Sequence, residues 1–135
     1  KFKEKFMLIG SDWSKLSIEQ IDSNYSVKKN KEIYRGNICI DLGCIEGSSS
    51  LYSRANQIIE SGGLIIQTNQ LDYDEKWNSL SNKILFKNFH DLDLIIQKIL
   101  SDDCYANKLL NEIENNFLNV KKLTENSLDK IFNYK

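Results

Sequence analysis

The segment from Ile38 to Leu64 constrains the fold of this 135-residue chain more than any other. Asn37-Ile38-Cys39-Ile40-Asp41-Leu42-Gly43 is a β-branched apolar run closed by glycine, which predicts a buried strand. A small polar loop, Cys44 to Ser49, is interrupted only by Ile45. Ser50 is an N-cap residue for a helix over Leu51 to Glu60, and Ser61-Gly62-Gly63 stops that helix. Leu64-Ile65-Ile66-Gln67-Thr68 reads as the next buried strand. A strand, a helix and a strand in this succession imply a parallel pair joined by a right-handed crossover. Ligands of open parallel sheets bind outside the carboxyl ends of the strands, which points to the loop from Gly43 to Ser50.

Shorter signals extend the pattern in both directions. Phe6-Met7-Leu8-Ile9 ends in the turn residues Gly10-Ser11-Asp12 and predicts a strand. Ser17 to Val27 has room for one or two helical turns, and Lys29 to Tyr34 for a short helix ending at Arg35-Gly36. Asp72 to Leu80, with Trp77, is a short helix or loop before a fourth strand at Ile84-Leu85-Phe86. Everything later has helical spacing. Asp91 is expected to cap a helix carrying Leu92, Ile95, Ile96, Ile99 and Leu100; a long helix then places Leu109, Ile113, Phe117 and Val120 on one stripe. A last piece is expected to turn Leu128, Ile131 and Phe132 inward. The expectation is one α/β domain over 1–135. It is a Rossmann-like open parallel sheet of about four strands with flanking helices and a helical C-terminal tail.

Composition narrows the function classes. A net charge of −1 gives no electrostatic footprint for nucleic acid or an anionic membrane. Arg35 and Arg54 are the only arginines among the 18 basic residues. Three cysteines without C-x-x-C spacing, Cys39, Cys44 and Cys104, argue against a disulfide framework. No apolar run reaches the length of a membrane span and no signal peptide is visible, so a cytoplasmic setting is expected. The chain opens on Lys1 with a strand soon after, which suggests a piece cut from a longer protein.

The chemistry concentrates at the loop. Ser48, Ser49 and Ser50 lead into a helix N-terminus, where open backbone N–H groups and the dipole favour a phosphate, and Arg54 lies one turn further on. A plain N-cap with a surface arginine would have the same sequence. His90 is the single histidine; a Ser–His–Asp arrangement would need it with Asp41 or Asp91, but no G-x-S-x-G elbow is present. One histidine and unclustered cysteines leave no zinc site. Trp13 and Trp77 read as packing residues.

Asp41-Leu42-Gly43-Cys44-Ile45-Glu46-Gly47 resembles the first motif of S-adenosylmethionine-dependent methyltransferases, with Ile45 in place of the middle glycine. The following strand ends in Gln67-Thr68-Asn69, without an acidic residue for a ribose.

A longer ordered set resembles the C-terminal domain of group-1 glycosyltransferases related to spore-maturation proteins. It runs from Phe6 to Trp13 through Ile33-Tyr34, the strand at Ile38 and Ser48 to Arg54. It continues over Glu60-Ser61-Gly62-Gly63-Leu64-Ile65-Ile66, and closes on Phe86-Lys87-Asn88 and Asp91-Leu92. That resemblance implies one half of a GT-B fold, the donor-binding side, using a nucleotide-diphosphate sugar as substrate with no cofactor or metal. Gly10, Ser11, Ser48, Ser49, Ser50, Arg54 and Gln57 would line the donor cleft. Gln57 stands where the family commonly has a glutamate for the donor ribose, and brings hydrogen bonds but no charge. Glu60 is expected to face another way. The acceptor side and any catalytic base would belong to an N-terminal half of the same chain. A degenerate Rossmann-like module that only binds or scaffolds fits the same residues.

Overall fold

The structure is a computed structural model and describes residues 8–9, 20–21, 27–42, 53–68 and 80–132. Within them, helix and strand alternate. α1 (Val27–Tyr34) precedes β3 (Ile38–Asp41), α2 (Ser53–Glu60) precedes β4 (Leu64–Thr68), and α3 (Ser81–Ile84) runs straight into β5 (Leu85–Phe86). α4 (Phe89–Ser101) and α5 (Asp103–Phe132) follow. Ahead of them β1 (Leu8–Ile9) and β2 (Gln20–Ile21) form a separate parallel pair, Leu8 opposite Gln20 and Ile9 opposite Ile21.

Among the described residues the main sheet has three strands, all parallel, in the order β3-β4-β5. Ile38 pairs with Leu64 and Asp41 with Gln67, and Gln67 and Thr68 continue to Leu85 and Phe86. β4 is central, and Leu64, Ile65, Ile66 and Gln67 are all buried. Successive side chains alternate between faces, so both faces of β4 are covered, as a parallel sheet requires. The covering residues are Ala55, Ile58 and Ile59 of α2, Ile96 and Ile99 of α4, and Leu109 and Ile113 of α5. Each set repeats at three or four residues, the spacing that puts apolar side chains on one helical face.

The turns entering β3 and β4 interlock. After α2 the Gly62 N–H donates to the Ile59 carbonyl and the Gly63 N–H to the Ile58 carbonyl, with Gly62 at φ 77°. This is the Schellman arrangement, in which a left-handed residue lets two terminal carbonyls find donors. Gly36 after α1 is also left-handed, at φ 69°, but its N–H leaves its own helix and donates to the Gly62 carbonyl. The two helix ends are thereby bound together, and β3 and β4 start in register.

A four-stranded sheet was expected; the structure gives the main sheet three strands, with Leu8–Ile9 in its own pair. Its partner Gln20–Ile21 is extended, where helical turns were expected. A short segment pays a large nucleation cost to hold a helix unaided, and at Gln20–Ile21 pairing with β1 decides the conformation. Ile84 closes α3 instead of opening β5. The cap of α4 is Asn88, not Asp91: the Asn88 side chain accepts from the Asp91 N–H at 3.0 Å, and the Asp91 carboxylate accepts from the Asn88 amide at 3.1 Å. α5 is one helix of 30 residues where two were expected, because no glycine or proline interrupts it. Leu128 is 46% exposed, not inward. The side chains of Val120, Ile131 and Phe132, and the whole of Trp13 and Trp77, lie outside the described residues.

Between α4 and α5 stands Asp102 alone, its carboxylate accepting from the Tyr105 N–H at 2.9 Å to cap α5. Across the helices Lys83 is bonded to Glu112, which holds that carboxyl below its usual range.

A Cβ at Gly63 would lie 2.8 Å from the Tyr34 carbonyl oxygen and 3.0 Å from Ile58 Cγ2, whereas at Gly36 it would meet nothing within 4 Å. Gly63→Ala is therefore expected to lose about 1–3 kcal/mol of stability through overpacking. Gly36→Ala should lose only about 1–2 kcal/mol of left-handed strain, less than Gly63→Ala. Urea unfolding of the two variants measures the order; Gly36→Ala as the more damaging would contradict the close approach of the two turns.

Candidate functional site

Asp41 closes β3, and a carboxylate there is unexpected: the three residues before it are apolar and Asp41 itself is 3% exposed. Strand register explains how it is held. Asp41 sits opposite Gln67, so their side chains share one face of the sheet, and Gln67 Nε2 donates to Asp41 Oδ2 at 3.1 Å. On the other oxygen, Arg54 Nη1 lies 3.6 Å from Oδ1, an ion pair just beyond hydrogen-bond length. Arg54 comes from the first turn of α2, so the contact ties that helix to the end of β3. One strand further, the Thr68 hydroxyl donates to the Leu42 carbonyl at 2.9 Å and fastens the ends of β3 and β4 together.

Gln67 and Arg54 differ in kind as partners of the carboxylate. Gln67 is fully buried, while the Arg54 side chain is 66% exposed. A guanidinium carries five donors in a planar fork, and Arg54 turns its Nη1 toward Asp41. The result is a cation oriented by a buried anion at the carboxyl edge of the sheet. Such a group offers charge-assisted hydrogen bonds to phosphate or carboxylate with little ordering cost.

Tyr34, at the end of α1, is buried in the core and feels the charges of this cluster. Burial raises its phenol above the ordinary value; the Arg54 charge pulls it back, and Cys39 and Asp41 push it further up. Burial pushes the Cys39 thiol up to about 12, so it is a neutral packing group and not a nucleophile.

Of the residues expected to line a donor cleft, Arg54 and Gln57 are brought together, one turn apart on α2. Gln57 is half-buried, and its main-chain carbonyl accepts from both the Ser61 N–H and the Ser61 hydroxyl. Gly10, Ser11, Ser48, Ser49 and Ser50 lie outside the described residues, as do Gly43, Ile45 and Gly47 of the methyltransferase-like motif. Glu60 does turn elsewhere: it pairs with Lys121 of α5 at 3.7 Å. His90 is exposed on the first turn of α4, while Asp91 is engaged in the helix cap and Asp41 in the cluster. Nothing there assembles a Ser–His–Asp arrangement among the described residues.

Sequence reasoning missed the Asp41–Gln67 bond. The signal was present as two polar residues in otherwise apolar strands, but their pairing needs the register. Elsewhere a hollow of about 190 Å³ is lined by Asn82, Lys83, Leu94, Ile95, Lys98 and Tyr105. Its cations are already occupied: Lys83 by Glu112, and Lys98 over the Tyr105 ring at 4.3 Å. Among the described residues no group of three or more His, Cys, Asp or Glu is placed to hold a metal, and no helix is long and apolar enough to cross a membrane. No family model, curated protein or solved structure matches the chain.

Asp41→Ala removes an acceptor from a fully buried amide and is expected to lose about 1–3 kcal/mol. Arg54→Ala, at an exposed partner, should lose about 1 kcal/mol or less. Asp41→Asn keeps an acceptor for Gln67 and should fall between wild type and Asp41→Ala. Urea midpoints rank the three; a larger loss at Arg54 would mean that the ion pair, and not the glutamine, holds the carboxylate.

Proposed function

We propose that this chain is the donor-binding half of a GT-B-type glycosyltransferase, taking a nucleotide-diphosphate sugar at the carboxyl edge of its parallel sheet. The observation that carries the proposal is Arg54: an exposed guanidinium, held by buried Asp41, at the end of the first strand of a strand–helix–strand unit. That edge is where open parallel sheets bind ligands. The resemblance of the flanking segments to the donor domain supports the sugar nucleotide over other anions.

In this reading Arg54 contacts the diphosphate and stabilises the charge that develops on it as the glycosidic bond to the sugar breaks. Asp41 draws the guanidinium toward the end of β3, which favours rotamers that face the ligand. Gln57, one turn along, offers neutral hydrogen bonds to ribose hydroxyls. The chemistry requires no metal, because the arginine and a helix N-terminus answer the phosphate charge. An N-terminal half of the same protein supplies the acceptor site and any base, in a cytoplasmic setting.

The Asp41–Arg54 pair favours one other reading. An arginine that serves only to brace α2 against β3 would belong to a Rossmann-like scaffold without a ligand. Titration of the 135-residue chain with UDP, GDP and S-adenosylmethionine, followed by Trp fluorescence or melting temperature, separates them. A nucleoside diphosphate is expected to bind, and Arg54→Ala to weaken it about 10- to 100-fold by loss of charge-assisted hydrogen bonds. Silence with every ligand supports the scaffold, and a response to S-adenosylmethionine alone supports the methyltransferase-like motif.

A further inference from the structure

We propose that Phe89 is the platform on which the base of the bound nucleotide stacks, an inference that rests on the nucleotide-sugar reading. Among the described residues Phe89 is the aromatic one of the exposed large apolar side chains, and at 84% it is the most exposed of them. Isolated surface leucines need no explanation, and several lie along α4 and α5. Phe89 differs by its position. It opens α4 directly after β5, which puts it at the same carboxyl edge as Arg54.

The backbone there is fixed. Asn88 caps the helix, and the Asp91 carboxylate accepts from the Lys87 N–H at 3.2 Å and from the Asn88 amide at 3.1 Å. The ring is therefore carried on a rigid helix start. Its exposure does not come from a fraying terminus.

The sheet order sets the span. Arg54 is anchored to the end of β3 and Phe89 follows β5, with β4 between them. Two strand spacings amount to roughly 10 Å. That is the scale of a nucleoside between its base and its phosphates. A cation at one end of the edge and an open aromatic face at the other match an anion that carries a flat heterocycle. Leu42, 54% exposed after β3, adds apolar surface on the Arg54 side, where the sugar would lie. Aromatic stacking tolerates any base, so the platform supplies affinity and leaves the choice of base to other groups.

The test compares two ligands on the intact 135-residue chain by calorimetric titration: the better binder of UDP and GDP, and inorganic pyrophosphate. Phe89→Ala should weaken the nucleoside diphosphate about 10-fold and leave pyrophosphate unchanged. Phe89→Trp should restore the nucleotide affinity. Arg54→Ala should weaken both ligands. Because Phe89 is exposed, its variants should melt with the wild type. Phe89→Ala binding the nucleotide like wild type would overturn the platform while leaving the donor site standing, as would an equal loss for pyrophosphate. Wild-type chain that binds neither UDP nor GDP would overturn both.

Discussion

A buried carboxylate at the end of an edge strand organises the rest of this structure. Asp41 is 3% exposed, and burying an ion is tolerable only where hydrogen bonds and an opposite charge replace the lost water. Both replacements come from different elements: Gln67 from the central strand and Arg54 from the helix between them. Satisfying one side chain therefore fixes the register of β3 on β4 and the approach of α2. An apolar residue in its place would pack without demanding either partner.

The two edges of the sheet are stabilised by different means. At the amino edge, backbone does the work: Gly36 and Gly62 take left-handed conformations, and the Gly63 Cα sits against the Tyr34 carbonyl with no room for a Cβ. At the carboxyl edge, side chains do it, through Asp41, Gln67, Arg54 and Thr68. The first arrangement is rigid and closed. The second leaves an exposed guanidinium. Such a division, a braced amino edge and a chemically open carboxyl edge, supports placing the ligand at the latter.

Much of the frame was legible in the sequence. Ile38 to Asp41 and Leu64 to Thr68 are strands because β-branched apolar runs have few alternatives, and Gly62-Gly63 marks a helix end for steric reasons. The errors came where short segments lack a dominant local preference. Gln20–Ile21 is extended by pairing alone, Asn88 and Asp91 both suit a cap, and only geometry chooses between them. The site was half legible. Arg54 stood out because arginine is scarce, but its partner is 13 residues away in sequence and Gln67 a further 13, so the cluster exists only in three dimensions. Phe89 was invisible for a similar reason: helical spacing says which residues can be buried, not which apolar residue is left out.

Ligand-induced amide shifts in the ¹⁵N-labelled chain test the central claim most directly. On addition of UDP or GDP, the largest shifts should fall on Asp41, Leu42, Arg54, Gln67, Thr68 and Phe89, with little change at Gly36, Gly62 and Gly63. Shifts centred instead on Asn82, Lys98 and Tyr105 would place the ligand in the hollow between α3, α4 and α5 and contradict the account.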